Sequence, residues 1–313
     1  MAGYTDSAFR LLCRNYGADV VMTELISADA IAYGKFKVKN SGSKIVVESN
    51  KNLTTAEMLS FDKKERPIII QLFGKHPKKF AIAAKWITEN LKPDGIDINM
   101  GCPARKVVGS DHGAALMRNP ELAYEIIRAV KNNTNLPVSV KTRLGWDGDD
   151  QILDFGPKMI SAGAEVLIVH GRTYKDAFSG VARWENIYRL KELLGDKAVV
   201  IGNGDVKSSS DLKLKTSKKL NGKNVQLDGV AIGRATFGKP WIFQKDQVEV
   251  IELKNVILKH AKLVFEDKGA RGLIEFRKHL LAYLKGFANS KALRMEATEI
   301  EILSDIENIV SHI

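Results

Sequence analysis

The stretch Gly95–Pro103 (GIDINMGCP) decides the fold class, because a short apolar run passes directly into a loop that contains a cysteine. Other runs rich in Val and Ile recur along the chain, none of them longer than seven residues. Continuous apolar runs of that length are typical of strands buried on both faces. The sequence therefore predicts these strands: Asp19–Glu24, Pro67–Phe73, Gly95–Asn99, Pro137–Thr142, Glu165–His170, Ala198–Gly202 and Asp228–Ile232.

Amphipathic segments of helical length separate these runs. In the first of them, Phe80, Ala84 and Ile87 fall on one side of a helix. A strand followed by a helix, repeated along the chain, predicts a parallel sheet. The predicted helices between strands are His76–Asn90, Asn119–Lys131, Asp150–Ala162 and Trp184–Leu194.

The ends of the predicted strands favour a barrel over an open, doubly wound sheet. Active sites of (β/α)8 barrels are built at the C-terminal ends of the strands. Residues suited to binding or catalysis stand at these ends in nearly every strand: Glu24, Gln71, Asn99, Lys141, His170, Asn203 and Gly233. The sequence therefore predicts an α/β fold, a (β/α)8 TIM barrel of which seven strands are found and one is missing.

The strand pattern stops after Trp241, where only helical spacing remains. We therefore predict a barrel domain over residues 1–243 and a small C-terminal helical domain over residues 244–313. The predicted helices of the second domain are Val248–Phe265, Leu273–Phe287 and Ala297–Val310.

The positive charge of the chain, a net +11, is unevenly distributed. From Lys254 to Arg294 there are ten Lys and Arg against three acids, and after Arg294 only acids follow. Such a segment suggests a polyanionic partner, with a solvated helix face as the alternative. Two further polar stretches, Lys35–Leu53 and Lys207–Lys223, are predicted to be solvated loops or helix faces.

Composition excludes several classes of protein. The 313 residues are 44% hydrophobic and 27% charged, close to globular averages. Cys13 and Cys102 are the only cysteines, so the sequence predicts no disulfide framework and a reducing, cytoplasmic location. No apolar run approaches the roughly 18 residues of a membrane helix. The N-terminal sequence predicts no signal peptide, and the cysteine spacing predicts no metal site.

Cys102 is the strongest candidate for chemistry, because a residue in the loop after a barrel strand points into the active-site mouth. A thiol with an ordinary pKa of about 8.5 is protonated at neutral pH and can donate a proton. A nucleophilic role would require a histidine base, which the sequence does not place. A buried structural thiol is the commoner case.

The ends of the last two strands carry glycines, in Gly202–Asp205 (GNGD) and Gly233-Arg234. Barrels of this type often bind a phosphate at these two loops, where glycine lets backbone N–H groups approach the anion. Gln71, Lys141 and His170 offer an amide and positive charge, as a flavin ring requires. The alternative is that each is a polar residue satisfied at the end of its strand.

Several motifs in this order resemble those of the tRNA-dihydrouridine synthases, a family of FMN-dependent (β/α)8 barrels with a C-terminal helical domain. The resemblance extends from Met1 to about Arg294. DINMGCP and FRKH are the most distinctive of the motifs. The matching segments are MAGYTDSAFR (1–10), TELIS (23–27), QLFG (71–74), DINMGCPARKVV (97–108), GAALM (113–117), VKTRLGW (140–146), HGRT (170–173), GNGDV (202–206), GRATFGKPWIF (233–243) and FRKHLLAYLKGF (276–287).

The resemblance implies a role for each matching position. Cys102 would protonate C5 of a uracil while reduced FMN passes hydride to C6, and NADPH would reduce the FMN. The residues implied to hold FMN are Met1, Ala2, Gln71, Lys141, His170, Asn203, Gly204, Asp205, Gly233 and Arg234. Those implied to face the target nucleotide or the tRNA are Asn99, Lys106, Arg172, Arg277 and Lys278.

The resemblance also implies that the family's first strand precedes Met1, which accounts for the seven predicted strands. The predicted partners are tRNA and NAD(P)H, with no membrane and no metal, and the protein is predicted to be a monomer. Two alternatives remain open. One is a dihydroorotate-dehydrogenase-like FMN barrel that acts on a small pyrimidine. The other is a non-catalytic tRNA-binding relative without flavin.

Overall fold

The computed structural model describes residues 1–220, 222–287 and 289–313. The strands in this part of the chain are β1 (Val21–Ser27), β2 (Lys37–Ser41), β3 (Lys44–Glu48), β4 (Phe61–Asp62), β5 (Ile68–Phe73), β6 (Gly95–Asn99), β7 (Val138–Arg143), β8 (Val166–His170), β9 (Val199–Asn203), β10 (Ser217–Leu220), β11 (Lys223–Gln226) and β12 (Gly229–Ala231).

Helices connect these strands and form the C-terminal region. They are α1 (Ser7–Asn15), α2 (Ala28–Tyr33), α3 (Leu53–Leu59), α4 (Pro77–Asn90), α5 (Arg105–Val108), α6 (Pro120–Lys131), α7 (Ile152–Ser161), α8 (Glu185–Leu194), α9 (Ser209–Thr216), α10 (Val250–Tyr283), α11 (Ser290–Glu296) and α12 (Leu303–Ser311). Short 3-10 turns, among them Gly113–Arg118, Arg234–Thr236 and Pro240–Phe243, complete the connections.

The central sheet confirms the predicted architecture. Seven parallel strands pair in the order β1-β5-β6-β7-β8-β9-β12, which is their order along the chain. Each strand therefore lies beside its successor, as in a TIM barrel, with the connecting helices packed outside. All seven predicted strands are present. β1 begins two residues later and ends three residues later than predicted, and its pairing with β5 extends to Ser27–Phe73.

Residues 1–6 lie between the two edge strands of this sheet. The Thr5 N–H donates to Glu24 Oε1 of β1 at 3.2 Å. Tyr4 stacks on Phe237, which follows β12, with 4.1 Å between ring centroids. The N-terminal segment thus connects β1 to the loop after β12 at the C-terminal end of the sheet.

The prediction for Lys35–Leu53 was wrong. This stretch contains a β-hairpin, in which β2 pairs with β3 and β3 pairs with β4. Ile45 and Val47 are buried whereas Lys44, Val46 and Glu48 are not, so one face of the hairpin packs against the core. The burial has a period of two, but Val46 interrupts that period in the sequence, and the charged residues and glycines around it favoured a loop.

The prediction for Lys207–Lys223 was also incomplete. It contains α9 and then the first strand of the hairpin β10–β11, whose Leu220 and Val225 are buried. Asn221 of this stretch lies outside the described residues.

The C-terminal region is helical, as predicted, but its boundaries differ. α10 turns at Gly269, whose φ of 63° and ψ of −150° are not helical, so two helical arms meet there. The predicted helix Ala297–Val310 begins only at Leu303. These helices enclose a second hydrophobic core, which also includes Ala8 and Leu12 of α1. The division at residue 243 remains a prediction.

Two buried histidines lie where this region meets the barrel. His260 and His279 are 4.7 Å apart between ring centroids, and the Phe9 ring of α1 lies 4.9 Å from His279. Ion pairs surround this contact: Asp6–Lys268 (3.1 Å), Lys44–Asp267 (3.0 Å) and Glu57–Arg271 (2.8 Å). In the described residues, no helix is both long and apolar enough to cross a membrane.

We expect Arg10→Ala to lower the free energy of unfolding by about 3–5 kcal/mol, because Glu65 would stay buried without its cation. Arg10 Nε lies 2.5 Å from Glu65 Oε2, and both side chains are almost fully buried. Urea denaturation measures the change. Lys39→Ala, which breaks the exposed pair with Glu48, is the control and should change stability by less than about 1 kcal/mol. Equally small losses in both variants would contradict the expectation.

Candidate active site

The strand ends bring most of the sequence-predicted site residues together at one mouth. Register places Gln71 beside Asp97, Asn99 beside Lys141, and His170 beside Asn203. Since parallel strands end at the same edge of the sheet, these side chains face a common space. The mouth is where a barrel of this type places its chemistry.

A chain of hydrogen bonds crosses the mouth and ends at the backbone of Cys102. Gln71 Nε2 donates to Asp97 Oδ2 at 2.7 Å. Asn99 Nδ2 donates to Gln71 Oε1 at 3.2 Å. The Cys102 N–H in turn donates to Asn99 Oδ1 at 3.0 Å. Three side chains on two neighbouring strands therefore fix the cysteine loop.

Asp97 determines which atom of each amide donates and which accepts in this series of hydrogen bonds. An ionised carboxylate only accepts hydrogen bonds, so the amide NH₂ of Gln71 must face it. The Gln71 oxygen then faces Asn99 and requires the NH₂ of that residue, which turns the Asn99 oxygen toward the Cys102 N–H. A carboxylate thus determines the orientation of two amides and, through them, the acceptor at the cysteine loop.

Asp97 itself is completely buried in the barrel interior. Its other oxygen accepts from Ser139 Oγ at 2.6 Å. Burial raises the pKa of Asp97 to about 6, although these hydrogen bonds and nearby Lys141 oppose the shift. Burial likewise lowers the pKa of Lys141 to about 8, with Asp97 opposing that shift. At neutral pH the pair is therefore largely charged, and each charge supports the other.

Cys102 lies partly buried at this mouth, held from two sides. Its carbonyl accepts from the Ala114 N–H at 3.1 Å. Gly113 has a φ of +61°, and a Cβ there would lie 2.9 Å from the Cys102 oxygen. Only glycine allows this close approach of the turn 113–118 to the cysteine loop.

Arg143 is a site residue that the sequence reasoning missed. Its Nε donates to Gly101 O at 2.8 Å, and one terminal nitrogen donates to Thr173 O and Ala177 O, each at 2.8 Å. It therefore joins the cysteine loop to the loop after β8. The signal was its spacing, since residues two apart on a strand share a face and Arg143 follows Lys141 by two.

The glycine-bearing ends of β9 and β12 form the other side of the mouth. Lys141 Nζ donates to Asn203 Oδ1 at 3.2 Å, and Asn203 Nδ2 donates to Ala231 O at 2.8 Å. Within the described residues, no protein group accepts a hydrogen bond from the N–H groups of Gly204, Gly233 or Arg234. With the exposed Arg234 side chain, these donors suit an anion such as a phosphate.

Arg172 and Asp205 form an ion pair with each other. The two guanidinium nitrogens of Arg172 lie 3.0 and 2.9 Å from the Asp205 oxygens, and Arg172 is buried. Arg172 also donates to Ser179 O and Gly180 O. The pair therefore holds the loop after β8. Burial and nearby cations lower the pKa of His170 to about 2, so its imidazole is neutral.

The remaining predicted residues lie around or outside this cluster. Met1 is beside the mouth, where its sulfur would be 3.4 Å from a Cβ on Gly233, and Ala2 adjoins it, exposed. Lys106 is exposed on α5, just after the cysteine loop. Arg277 and Lys278 lie on α10: Arg277 donates to Ile300 O, and Lys278 Nζ lies 5.5 Å from the centre of the Tyr4 ring. Among the described residues, no three metal-ligating side chains cluster.

Comparison with known proteins gives a consistent result. The profile of the dihydrouridine synthase (Dus) family matches residues 1–312. A probable tRNA-dihydrouridine synthase 1 of Synechocystis is 32% identical, over 99% of this chain and 83% of the relative. A probable tRNA-dihydrouridine synthase of Aquifex aeolicus is 34% identical, over 94% and 88%. The tRNA-dihydrouridine synthase B of Vibrio cholerae is 32% identical, over 96% and 89%.

Asp97→Asn should change how stability depends on pH. The raised pKa of Asp97 means that its stabilising contribution is complete below the unfolded value of 3.8 and is lost as pH rises through about 6. Between pH 4 and pH 7 the wild type should therefore lose about 2 kcal/mol relative to the variant, which has no carboxyl group there. Urea denaturation across this range measures the difference.

Asp154→Asn, at an exposed position on α7, is the control for loss of a carboxylate. Parallel pH profiles for the wild type and Asp97→Asn would contradict the buried, perturbed carboxyl group.

Proposed function

Because the chain belongs to the dihydrouridine synthase family, we propose that it reduces the C5–C6 double bond of specific uridines in tRNA, with FMN as cofactor and NADPH as reductant. The observation that carries this proposal is the hydrogen-bonded chain that fixes the Cys102 loop beside Lys141 at the barrel mouth. The names of the relatives support tRNA as the substrate.

The residues at the mouth fit FMN. The Lys141 ammonium donates to Asn203 alone among the described residues and has further protons to offer an anionic ring. The free N–H groups of Gly204, Gly233 and Arg234 suit the phosphate. We propose that Gln71 and His170 flank the ring, that Asn203 and Asp205 support the ribityl end, and that Met1 and Ala2 cover it. The chemistry that the cofactor supplies when bound is a hydride for C6 of the uracil.

Cys102 would supply the matching proton to C5, so that one hydride and one proton saturate the double bond. The thiol becomes a thiolate in this step and must regain a proton from solvent. Lys141 lies beside Asn99 in register, and Arg143 donates to Gly101 O of the cysteine loop, so we propose that these two cations offset the negative charge that develops on the sulfur in this step. Asn99 keeps the thiol in place through the Cys102 N–H.

The tRNA would bind across the mouth and the basic helical region. Lys106, Arg277 and Lys278 are proposed to contact it, and Arg172 to shape the loop that it meets. Phosphate contacts give affinity without sequence preference, and the target uridine must leave its stack to reach the mouth. One copy of the chain supplies all these residues, so we propose a monomer. A tRNA substrate supports a cytoplasmic location.

The visible absorption spectrum of the purified protein, with identification of any released chromophore, tests the cofactor. We expect FMN, NADPH oxidation and dihydrouridine formation in unmodified tRNA. Turnover of free dihydroorotate instead would favour a small-pyrimidine enzyme. Salt-sensitive tRNA binding without flavin or NADPH oxidation would favour a non-catalytic RNA-binding protein.

Cys102→Ala should retain FMN and tRNA binding while the rate of dihydrouridine formation falls by about 10²–10⁴-fold, the usual contribution of a general acid. Mass spectrometry of the tRNA after a timed reaction measures the rate. Cys13→Ala removes the other thiol, which is buried in α1 away from the mouth, and should keep the wild-type rate. Full activity of Cys102→Ala would remove Cys102 from the mechanism.

A further inference from the structure

The segment between β9 and β12, residues 207–226, is strongly basic. It contains six lysines and a single aspartate, Asp211. The Asp211 carboxylate accepts from the Lys207 backbone N–H. We call residues 207–226 the lysine excursion.

The lysine excursion is a folded element with a buried side. An isolated two-stranded hairpin is marginally stable in water. Here Leu220, Val225 and Leu227 are buried in the barrel core cluster and anchor it. The opposite face, with Ser217, Lys219, Asn224 and Gln226, is exposed. Lys219 is therefore presented on the outer face of an anchored hairpin, and Lys223 lies opposite Leu220 in the register of the two strands.

Two of the six lysines have internal roles. Lys218 pairs with Glu185 in the first turn of α8. Lys215 Nζ lies 4.7 Å from the centre of the Trp184 ring.

The other four are Lys207, Lys213, Lys219 and Lys223. All are exposed, and in the described part of the chain no carboxylate lies within 4.0 Å of their Nζ atoms. Exposed lysines without a carboxylate partner add to the positive potential of the surface that carries them. This arrangement suits a polyanion that neutralises them.

The excursion lies beside the mouth. Trp184, on which Lys215 rests, donates from Nε1 to Gly204 O at 3.1 Å, and Gly204 belongs to the proposed phosphate site. Lys207 follows Asp205 by only two residues. At the other side, the Ser209 N–H and Ser210 hydroxyl donate to Asp246, which precedes α10. Lys207, Lys215 and the start of α9 therefore lie near both the mouth and the segment that precedes α10.

We propose that the lysine excursion is a second contact surface for the phosphate backbone of the tRNA whose uridine enters the mouth. This proposal rests on the proposed function, since it identifies the partner by that substrate. Backbone phosphates match exposed lysines as point charges, without geometric demands. The surface adds affinity and holds the RNA on the β9–β12 side of the barrel.

The test is the salt dependence of tRNA binding by a triple variant, Lys213→Gln with Lys219→Gln and Lys223→Gln. Each lysine that neutralises a phosphate adds about 0.7–0.9 to the slope of log K against log salt. We expect the slope to fall by about two to three, with unchanged thermal unfolding and unchanged flavin content. Lys215 and Lys218 are left intact because they pack against the barrel.

The matched control is Lys85→Gln with Lys92→Asn and Lys197→Gln, which removes the same charge from exposed positions. Lys92 and Lys197 precede strands β6 and β9, at the end of the barrel opposite the mouth. An unchanged slope in the first variant, or an equal fall in both, would overturn the proposal. Failure of the wild type to bind tRNA would instead refute the proposed function.

Discussion

The buried carboxyl group of Asp97 is the constraint on which the mouth of the barrel depends. It lies in the middle of β6 with no exposed surface and accepts hydrogen bonds on both oxygens. A buried charge is tolerated only when it is paired and hydrogen-bonded, which here requires Gln71, Ser139 and the nearby Lys141. The same requirement orients the amides that hold the Cys102 loop. The hydrogen bonds that satisfy the buried carboxylate therefore belong to the same network that positions the Cys102 loop.

The sequence predicted the central sheet well because its strands are buried on both faces, and such strands appear as continuous apolar runs. The short hairpins were not predicted. The buried residues of these hairpin strands are few: Ile45 and Val47 in β3, and Leu220 and Val225 in β10 and β11. Period-two alternation over four or five residues is too short to stand out there. Tertiary packing against the barrel, rather than local pattern, gives these segments their structure.

The sequence predicted which residues belong to the candidate site better than it predicted their contacts. Strand ends and motifs pointed to Gln71, Asn99, Lys141 and Cys102, and register brings them together. The pairing of Arg172 with Asp205 depends on the path of the loop after β8, which no pattern in the sequence specifies. Asp97 lies within the quoted strand, yet a single acid in an apolar run does not reveal which amide it orients.

The two buried histidines between the barrel and the helical region make stability depend on pH in the opposite direction to Asp97. Burial lowers the pKa of His279 to about 4, with Asp6 opposing and Lys278 reinforcing the shift, so its neutral form stabilises the joint above about pH 6.5. As pH falls toward 4 that contribution is lost, over the same interval in which protonation of Asp97 strengthens the barrel. Between about pH 6 and pH 4 the two contributions to the free energy of unfolding therefore change in opposite directions, and each offsets part of the other.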